Sequence, residues 1–111
     1  MIENEYSFNE KIEHIKKAIL KYAPAKYIYL FGSHAYGEPS EISDIDIYAV
    51  LPDDFEIDFF LKANIRRELA NNNIYEIDLL INNESNFNYR KTRSLFENII
   101  IERGSLIHEY S

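Results

Sequence analysis

A chain of 111 residues is long enough for one compact domain but too short for a catalytic unit with a separate substrate domain, so we expect a single domain over residues 1–111. The absence of cysteine excludes disulfides, thiolate zinc sites and a cysteine nucleophile, so any metal must have oxygen or imidazole ligands. A formal net charge of -7 gives no electrostatic reason to bind a polyanion, which makes nucleic acid a poor candidate partner.

The sequence contains no membrane or export signal that we recognise. Apolar stretches such as residues 27–31 are far shorter than a bilayer span. The N-terminus MIENEYSFNE has neither a basic segment nor the apolar run of a signal peptide. We therefore expect a soluble, cytoplasmic protein without a membrane partner.

The first predicted elements are a helix and a strand. Ser7 and Glu10 form a capping-box pattern, and apolar residues then recur at helical spacing as far as Pro24. Residues 26–31 (KYIYLF) are rich in aromatic and β-branched side chains and stop at Gly32, which predicts a strand that ends in a turn. We expect residues 32–43 to form a loop with one helical turn starting at Ser33.

The middle of the chain predicts a strand, a helix and another strand. Residues 44–51 (DIDIYAVL) form an apolar strand with an acidic beginning, which Pro52 ends. Asp53 or Asp54 is expected to cap a second helix, and a strand over residues 74–81 follows the polar break 71–73. The apolar stripe expected on that helix consists of Ile57, Phe60, Leu61, Ile65 and Leu69.

A polar loop and a last helix complete the prediction. The apolar stripe of this helix is expected to be Leu95, Phe96, Ile99 and Ile100. Gly104 is placed to cap it, and residues 106–110 form a short edge strand or a packed tail. The basic cluster Arg90, Lys91 and Arg93 is interpreted as a solvated helix entry. The order α-β-loop-β-α-β-α predicts an α/β (α+β) fold with a small mixed β-sheet covered by helices.

Three aspartates are the candidate metal ligands. In a strand, Asp44 and Asp46 project from the same face with Cα atoms roughly 6.6 Å apart. Asp78 lies in EIDLL among apolar neighbours, where burial of an unpaired carboxylate would be costly and a metal ion would relieve that cost. The alternatives are that the first two are solubilising edge residues and that Asp78 faces solvent beside Glu76. Three carboxylates with substrate phosphates are ligands that suit Mg²⁺.

Gly32 and Ser33 are the candidate nucleotide-binding residues. They follow a predicted strand at a turn where free backbone N–H groups attract anionic oxygens, and a glycine lets a phosphate approach the backbone closely. The dipeptide alone is uninformative, but ten residues then separate it from Asp44-x-Asp46. A chance match to this G-S-x10-D-x-D spacing is expected in on the order of one in a thousand chains of this length.

This spacing is the signature of nucleotidyltransferases that resemble DNA polymerase β. From LFGSHAYG through SDIDIYAV to EIDLL, the chain resembles the minimal nucleotidyltransferase (MNT) family, the antitoxins of HEPN/MNT toxin–antitoxin systems. The resemblance implies that Asp44 and Asp46 bind two Mg²⁺ ions, that Asp78 completes the triad beside the incoming hydroxyl, and that Gly32 and Ser33 hold the triphosphate. One departure is Tyr36, which stands where many members have Arg.

The resemblance predicts an enzyme that transfers AMP from ATP to a tyrosine hydroxyl of a partner HEPN-domain toxin. A non-catalytic antitoxin that neutralises the toxin by contact is the alternative from another functional class. Transfer to a small molecule needs an acceptor domain that this chain lacks, unless dimerisation supplies one. Homo- and hetero-oligomers are both compatible with the sequence. His34 and His108 are interpreted as an exposed loop residue and a structural residue, respectively.

Overall fold

The computed structural model describes residues 6–37 and 44–110. In chain order the elements are α1 (Phe8–Tyr22), β1 (Tyr27–Phe31), α2 (Ser33–Tyr36), β2 (Ile45–Leu51), α3 (Leu61–Ala70), β3 (Ile77–Asn83), α4 (Glu84–Lys91), α5 (Leu95–Arg103) and β4 (Ser105–Glu109). No helix in these two ranges combines the length and the apolar character that crossing a bilayer requires.

The four strands form one mixed sheet in the order β3-β2-β1-β4. β1 runs antiparallel to both β2 and β4, whereas β2 and β3 are parallel. A parallel pair needs a crossover between its strands, and α3 lies in the connection from β2 to β3. The predicted fold class, a small mixed sheet covered by helices, is confirmed.

The two faces of the sheet carry separate apolar cores. On one face, Ile28, Ile47 and Leu79 pack with residues of α1 and α3. On the other face, Tyr48 and Val50 pack with Phe87 of α4 and Ile100 of α5. Because side chains alternate along a strand, Asp46 and Asp78 belong to the same face as Tyr48 and Leu80.

Several predicted elements are confirmed. The capping box of α1 is formed, since Ser7 N donates to Glu10 Oε1 at 2.8 Å and Glu10 N donates to Ser7 Oγ at 3.1 Å. The helical turn begins at Ser33, and the last helix ends at Arg103 with Gly104 N donating to the Ile100 carbonyl at 2.8 Å. The edge strand near the C-terminus is β4. Residues 38–43 of the predicted loop lie outside the described residues.

The prediction that Asp53 or Asp54 caps the second helix was wrong. α3 starts at Leu61, and Asp58 Oδ1 accepts hydrogen bonds from the backbone N of Phe60 and Leu61 at 2.9 and 3.0 Å. Asp53 instead accepts hydrogen bonds from the backbone N and the hydroxyl of Ser85, which ties the end of β2 to the start of α4. The predicted stripe residues Ile57 and Phe60 precede the helix and are exposed.

The bounds of the third strand and the structure of the residues after it also differ from the prediction. β3 covers Ile77–Asn83 rather than residues 74–81, and the predicted polar loop contains α4. Asn83 ends the strand and caps the helix by accepting a hydrogen bond from Asn86 N at 2.7 Å. In α5, Leu95 and Phe96 of the predicted stripe are exposed, whereas Glu97 and Ile100 are buried.

Candidate active site

The turn after β1 depends on the backbone of Gly32. Its φ of 77° lies in a region that L side chains rarely adopt, and its carbonyl accepts hydrogen bonds from the N–H groups of Ala35 and Tyr36, both at 3.0 Å. The chain therefore turns from β1 into α2 within one residue, and Ser33 is the first residue of that helix. The predicted Gly32-Ser33 turn is present.

Asp46 of β2 lies between the end of β1 and Asp78 of β3. It pairs with Phe31, the last residue of β1, across the antiparallel ladder and with Asp78 of β3 across the parallel ladder. Directly paired residues point to the same face of a sheet, so the carboxylates of Asp46 and Asp78 are neighbours. Asp44 precedes β2 and is exposed.

The side chain of Asp46 packs directly on Gly32. A Cβ built on Gly32 would overlap Asp46 Oδ2 and lie 2.9 Å from its Cγ. The space that a larger residue would fill is therefore occupied by the carboxylate. Gly32 and Asp46 are 14 positions apart in the sequence, and both candidate site residues meet at this contact.

The electrostatic environment of Asp46 is that of a crowded anionic site. Burial raises the pKa of its carboxyl above the usual range, and the negative charges of Asp78 and Asp44 raise it further. His34 in α2 lowers the pKa and so opposes these effects. The His34 ring stacks on Phe8 at 4.9 Å, so the interpretation of His34 as a merely exposed loop residue was wrong.

Of the two interpretations of Asp78, exposure to solvent beside Glu76 is confirmed, so the argument from a buried carboxylate does not apply. Asp78 is exposed, because the flanking residues Ile77 and Leu79 point to the opposite, buried face. Its place beside Asp46 comes from strand register and not from desolvation.

The residues present fit a hard divalent cation in chemistry, since carboxylate oxygens are ligands that Mg²⁺ prefers and a cation would relieve their mutual repulsion. Within residues 6–37 and 44–110, no group of three or more His, Cys, Asp or Glu side chains converges closely enough to hold a metal ion. The assignment of Asp44, Asp46 and Asp78 as metal ligands stays a prediction.

A buried polar network lies further along the same face. Glu97 Oε2 accepts hydrogen bonds from Tyr48 OH at 2.9 Å and from Arg90 Nε at 2.7 Å, and Tyr48 OH accepts one from Asn82 Nδ2 at 3.2 Å. Burial is the main cause that raises the pKa of Tyr48 to about 12, which keeps its phenol protonated as a donor. A cleft of about 290 Å³ is lined by this network and by Leu80.

This network was not predicted. Arg90 belongs to the basic cluster that was interpreted as solvated, but it pairs with a carboxylate that is only 3% exposed. The sequence signal was Glu97 itself, a single charge in the apolar run LFENIII, at a position where helical spacing brings it to the buried side with Ile100.

Comparisons with known proteins identify relatives of the chain. The family described as Polymerase beta, Nucleotidyltransferase matches residues 13–111. The chain is 33% identical over 85 residues to a Methanocaldococcus jannaschii protein named "Putative protein adenylyltransferase MJ0604", a match that covers 75% of this chain and 78% of the relative.

Solved structures share the fold. A crystal structure of a toxin–antitoxin with AMP-PNP matches with a TM-score of 0.65 and 22% identity, covering 89% of this chain and 73% of that one. A tri-AMPylated Shewanella oneidensis HEPN toxin in complex with its MNT antitoxin matches with a TM-score of 0.51 and 19% identity, covering 90% and 73%. The family model and the Methanocaldococcus relative confirm the resemblance to nucleotidyltransferases, and the chain belongs to the polymerase β nucleotidyltransferase family of enzymes.

Proposed function

We propose that this protein is a Mg²⁺-dependent adenylyltransferase that transfers AMP from ATP to a tyrosine hydroxyl of a partner HEPN-domain toxin. The observation that carries the proposal is the direct pairing of Asp46 with Asp78, with the Asp46 carboxylate packed on Gly32. Family membership supports nucleotidyl transfer. The name of the Methanocaldococcus relative supports a protein as the acceptor.

Each predicted site residue has a role in this proposal. Asp44, Asp46 and Asp78 would hold Mg²⁺, which when bound neutralises negative charge on the phosphate oxygens in the transition state. Gly32 would let the triphosphate approach the backbone at the start of α2, and the Ser33 hydroxyl would donate a hydrogen bond to it. Asp78 is the exposed member of the pair and therefore the one that an incoming acceptor reaches.

The proposed reaction is a substitution at the α-phosphorus of ATP. The acceptor oxygen forms a bond to that phosphorus while the bond to the bridging oxygen of pyrophosphate breaks. The hydroxyl proton passes to the carboxylate of Asp78, pyrophosphate leaves, and the acceptor carries an AMP ester.

A protein acceptor agrees with the properties of this chain. Its net charge of -7 disfavours a nucleic acid acceptor. Among the structural neighbours, an MNT antitoxin is bound to an AMPylated HEPN toxin. We infer by analogy that a HEPN-domain partner presents a tyrosine to the open face beside Asp78.

The test is transfer of label from α-labelled ATP to a purified HEPN partner. Label on the partner should require Mg²⁺ and should disappear when the accepting tyrosine is changed to phenylalanine. Asp46→Asn and Asp78→Asn should each reduce transfer by at least about a hundredfold, because they remove charge that acts at the reacting phosphate. Asp54→Asn is the matched control, since this exposed carboxylate follows the opposite end of β2.

Two results would defeat the proposal. Transfer at equal rates in Asp46→Asn and Asp54→Asn would show that the carboxylate pair is not the active site. Partner binding without any affinity for ATP and Mg²⁺ would instead identify a protein that neutralises its partner by contact alone.

A further inference from the structure

The C-terminal end of α5 is fixed beside the Gly32 turn. Gly104 follows this helix directly, and a Cβ built on it would lie 2.8 Å from the carbonyl oxygen of Leu30. Ser105, the next residue, pairs with Leu30 in the β1–β4 ladder. Backbone packing and strand pairing therefore hold Arg103, the last residue of α5, next to the end of β1.

The guanidinium of Arg103 lies over the aromatic ring of Tyr36. Arg103 Cζ is 4.6 Å from the centroid of that ring. Tyr36 is the last residue of α2, and its N–H donates to the carbonyl of Gly32 at 3.0 Å. The guanidinium therefore lies over a residue that is within one helical turn of Gly32 and Ser33, on the face of the sheet where Tyr36 packs against the cluster that contains Phe31 and Tyr48.

A guanidinium that lies over an aromatic ring keeps hydrogen-bond donors for a further partner. An arginine that stacks on an aromatic ring uses the flat face of its guanidinium, while its N–H groups point outward in the plane. Within the described ranges 6–37 and 44–110, Arg103 forms no salt bridge with a carboxylate. Such a group is suited to bidentate contact with phosphate oxygens.

We propose that Arg103 binds the phosphate chain of ATP, with Tyr36 as the platform that orients it. This inference rests on the proposed function and deepens it. The site contains three carboxylates, so a bound triphosphate needs positive charge beside the metal ions. The side chain of Tyr36 in α2 is uncharged, and α5 supplies the guanidinium from across the turn.

The experiment compares ATP and AMP binding by titration calorimetry in the presence of Mg²⁺. Arg103→Gln should weaken ATP binding by about tenfold or more, because it removes a charged hydrogen-bond donor. AMP, which lacks the β- and γ-phosphates, should bind the variant and the wild type with the same affinity. In transfer assays the KM for ATP should rise more than kcat falls.

Matched variants separate phosphate binding from a structural role. Arg93→Gln is the control, because Arg93 also stacks on a tyrosine, with its Cζ 4.1 Å from the Tyr89 ring centroid, but lies at the junction of α4 and α5. It should leave ATP binding unchanged. Tyr36→Leu keeps an apolar side chain without the ring and should weaken ATP binding.

The outcomes distinguish this inference from the function on which it rests. If the wild type binds ATP and Arg103→Gln binds it equally well, the role of Arg103 is disproved while the proposed function stands. An equal loss of ATP and AMP affinity in Arg103→Gln would also disprove it. If the wild type binds no ATP, both proposals fail. Thermal unfolding of each variant verifies that the fold is retained.

Discussion

The carboxylate of Asp46 lies against the Cα atom of Gly32, in the space that any side chain at position 32 would need. The contact joins the turn that is expected to hold a triphosphate to the strand that is expected to hold a metal ion. It also makes Gly32 necessary for two reasons, since the residue has a φ of 77° and no room for a Cβ.

Gly32→Ala is therefore expected to lower both stability and activity. The substitution strains the backbone at positive φ and displaces the Asp46 carboxylate, so the free energy of unfolding should fall by about 1–3 kcal/mol. Gly37→Ala is the matched control, because Gly37 has a φ of 85° but nothing within 4 Å of an added Cβ. Chemical denaturation and AMP transfer should show a larger loss for Gly32→Ala, and equal losses would mean that the Asp46 contact is unimportant.

Asp46→Asn is expected to stabilise the metal-free protein at neutral pH. Burial and the charges of Asp78 and Asp44 raise the pKa of Asp46 in the folded state above its ordinary value of 3.8. A raised folded pKa gives stability that is present below the ordinary value and is lost as pH rises through the folded value. The asparagine avoids that loss, so its unfolding temperature should exceed that of the wild type at neutral pH.

The pH dependence is the control for this prediction. The advantage of Asp46→Asn should shrink as pH falls towards 3.8, where the wild-type carboxyl becomes protonated. Asp54→Asn, an exposed carboxylate after the far end of β2, should show no comparable gain. A constant difference at every pH would argue that side-chain packing, and not charge, explains the effect.

Glu97 is expected to give the opposite pH dependence. Burial raises its pKa, but the hydrogen bonds from Arg90, Ser94 and Tyr48 outweigh burial and lower the pKa below 4.5 overall. Stability from this group is therefore present above 4.5 and lost as pH falls through the lowered folded value. Glu97→Gln should make the unfolding temperature less sensitive to acid than it is in the wild type.

Removing Arg90, the partner of Glu97, should destabilise the fold more than removing the charge of Glu97 itself. Arg90→Met leaves a buried carboxylate without its 2.7 Å contact, so the free energy of unfolding should fall further than it does in Glu97→Gln. Adding Glu97→Gln to that variant should recover part of the loss, as a double-mutant cycle measures. If the two substitutions prove additive, the Arg90–Glu97 pair contributes no coupling energy.

Much of the fold could be predicted because the pattern of apolar residues in an element follows from which of its faces are buried. Phe8–Tyr22 shows the helical period of 3.6, and Ile45–Leu51 is an almost continuous apolar run, as expected for a strand that is buried on both faces. α4 escaped prediction because ESNFNYRK contains one buried anchor, Phe87, so no apolar stripe appears. The cap of α3 was misplaced because the local pattern does not distinguish Asp58 from Asp53, whose partner Ser85 is 32 residues away.

The candidate site, too, could be predicted only in part. The spacing from Gly32-Ser33 to Asp46 identified residues that the structure brings together. The neighbour relation of Asp46 and Asp78 needed the parallel register of β2 and β3, which sequence periodicity does not encode. The stacking of Arg103 on Tyr36 depends on where α5 returns to β1, and no local pattern predicts a contact across 67 positions.

Gly104→Ala tests the return of α5 to β1. The φ of Gly104 is -76°, so alanine meets no conformational cost there. An added Cβ would instead lie 2.5 Å from the Ile100 carbonyl oxygen and 2.8 Å from that of Leu30. Both are backbone atoms that cannot rotate away, so α5 must shift from β1, and the free energy of unfolding should fall by about 1–3 kcal/mol.

Ser105→Ala, at the exposed next residue, is the control and should change stability by less than about 0.5 kcal/mol. Equal unfolding free energies for the two variants, measured by chemical denaturation, would show that the approach of α5 to Leu30 is looser than its geometry indicates.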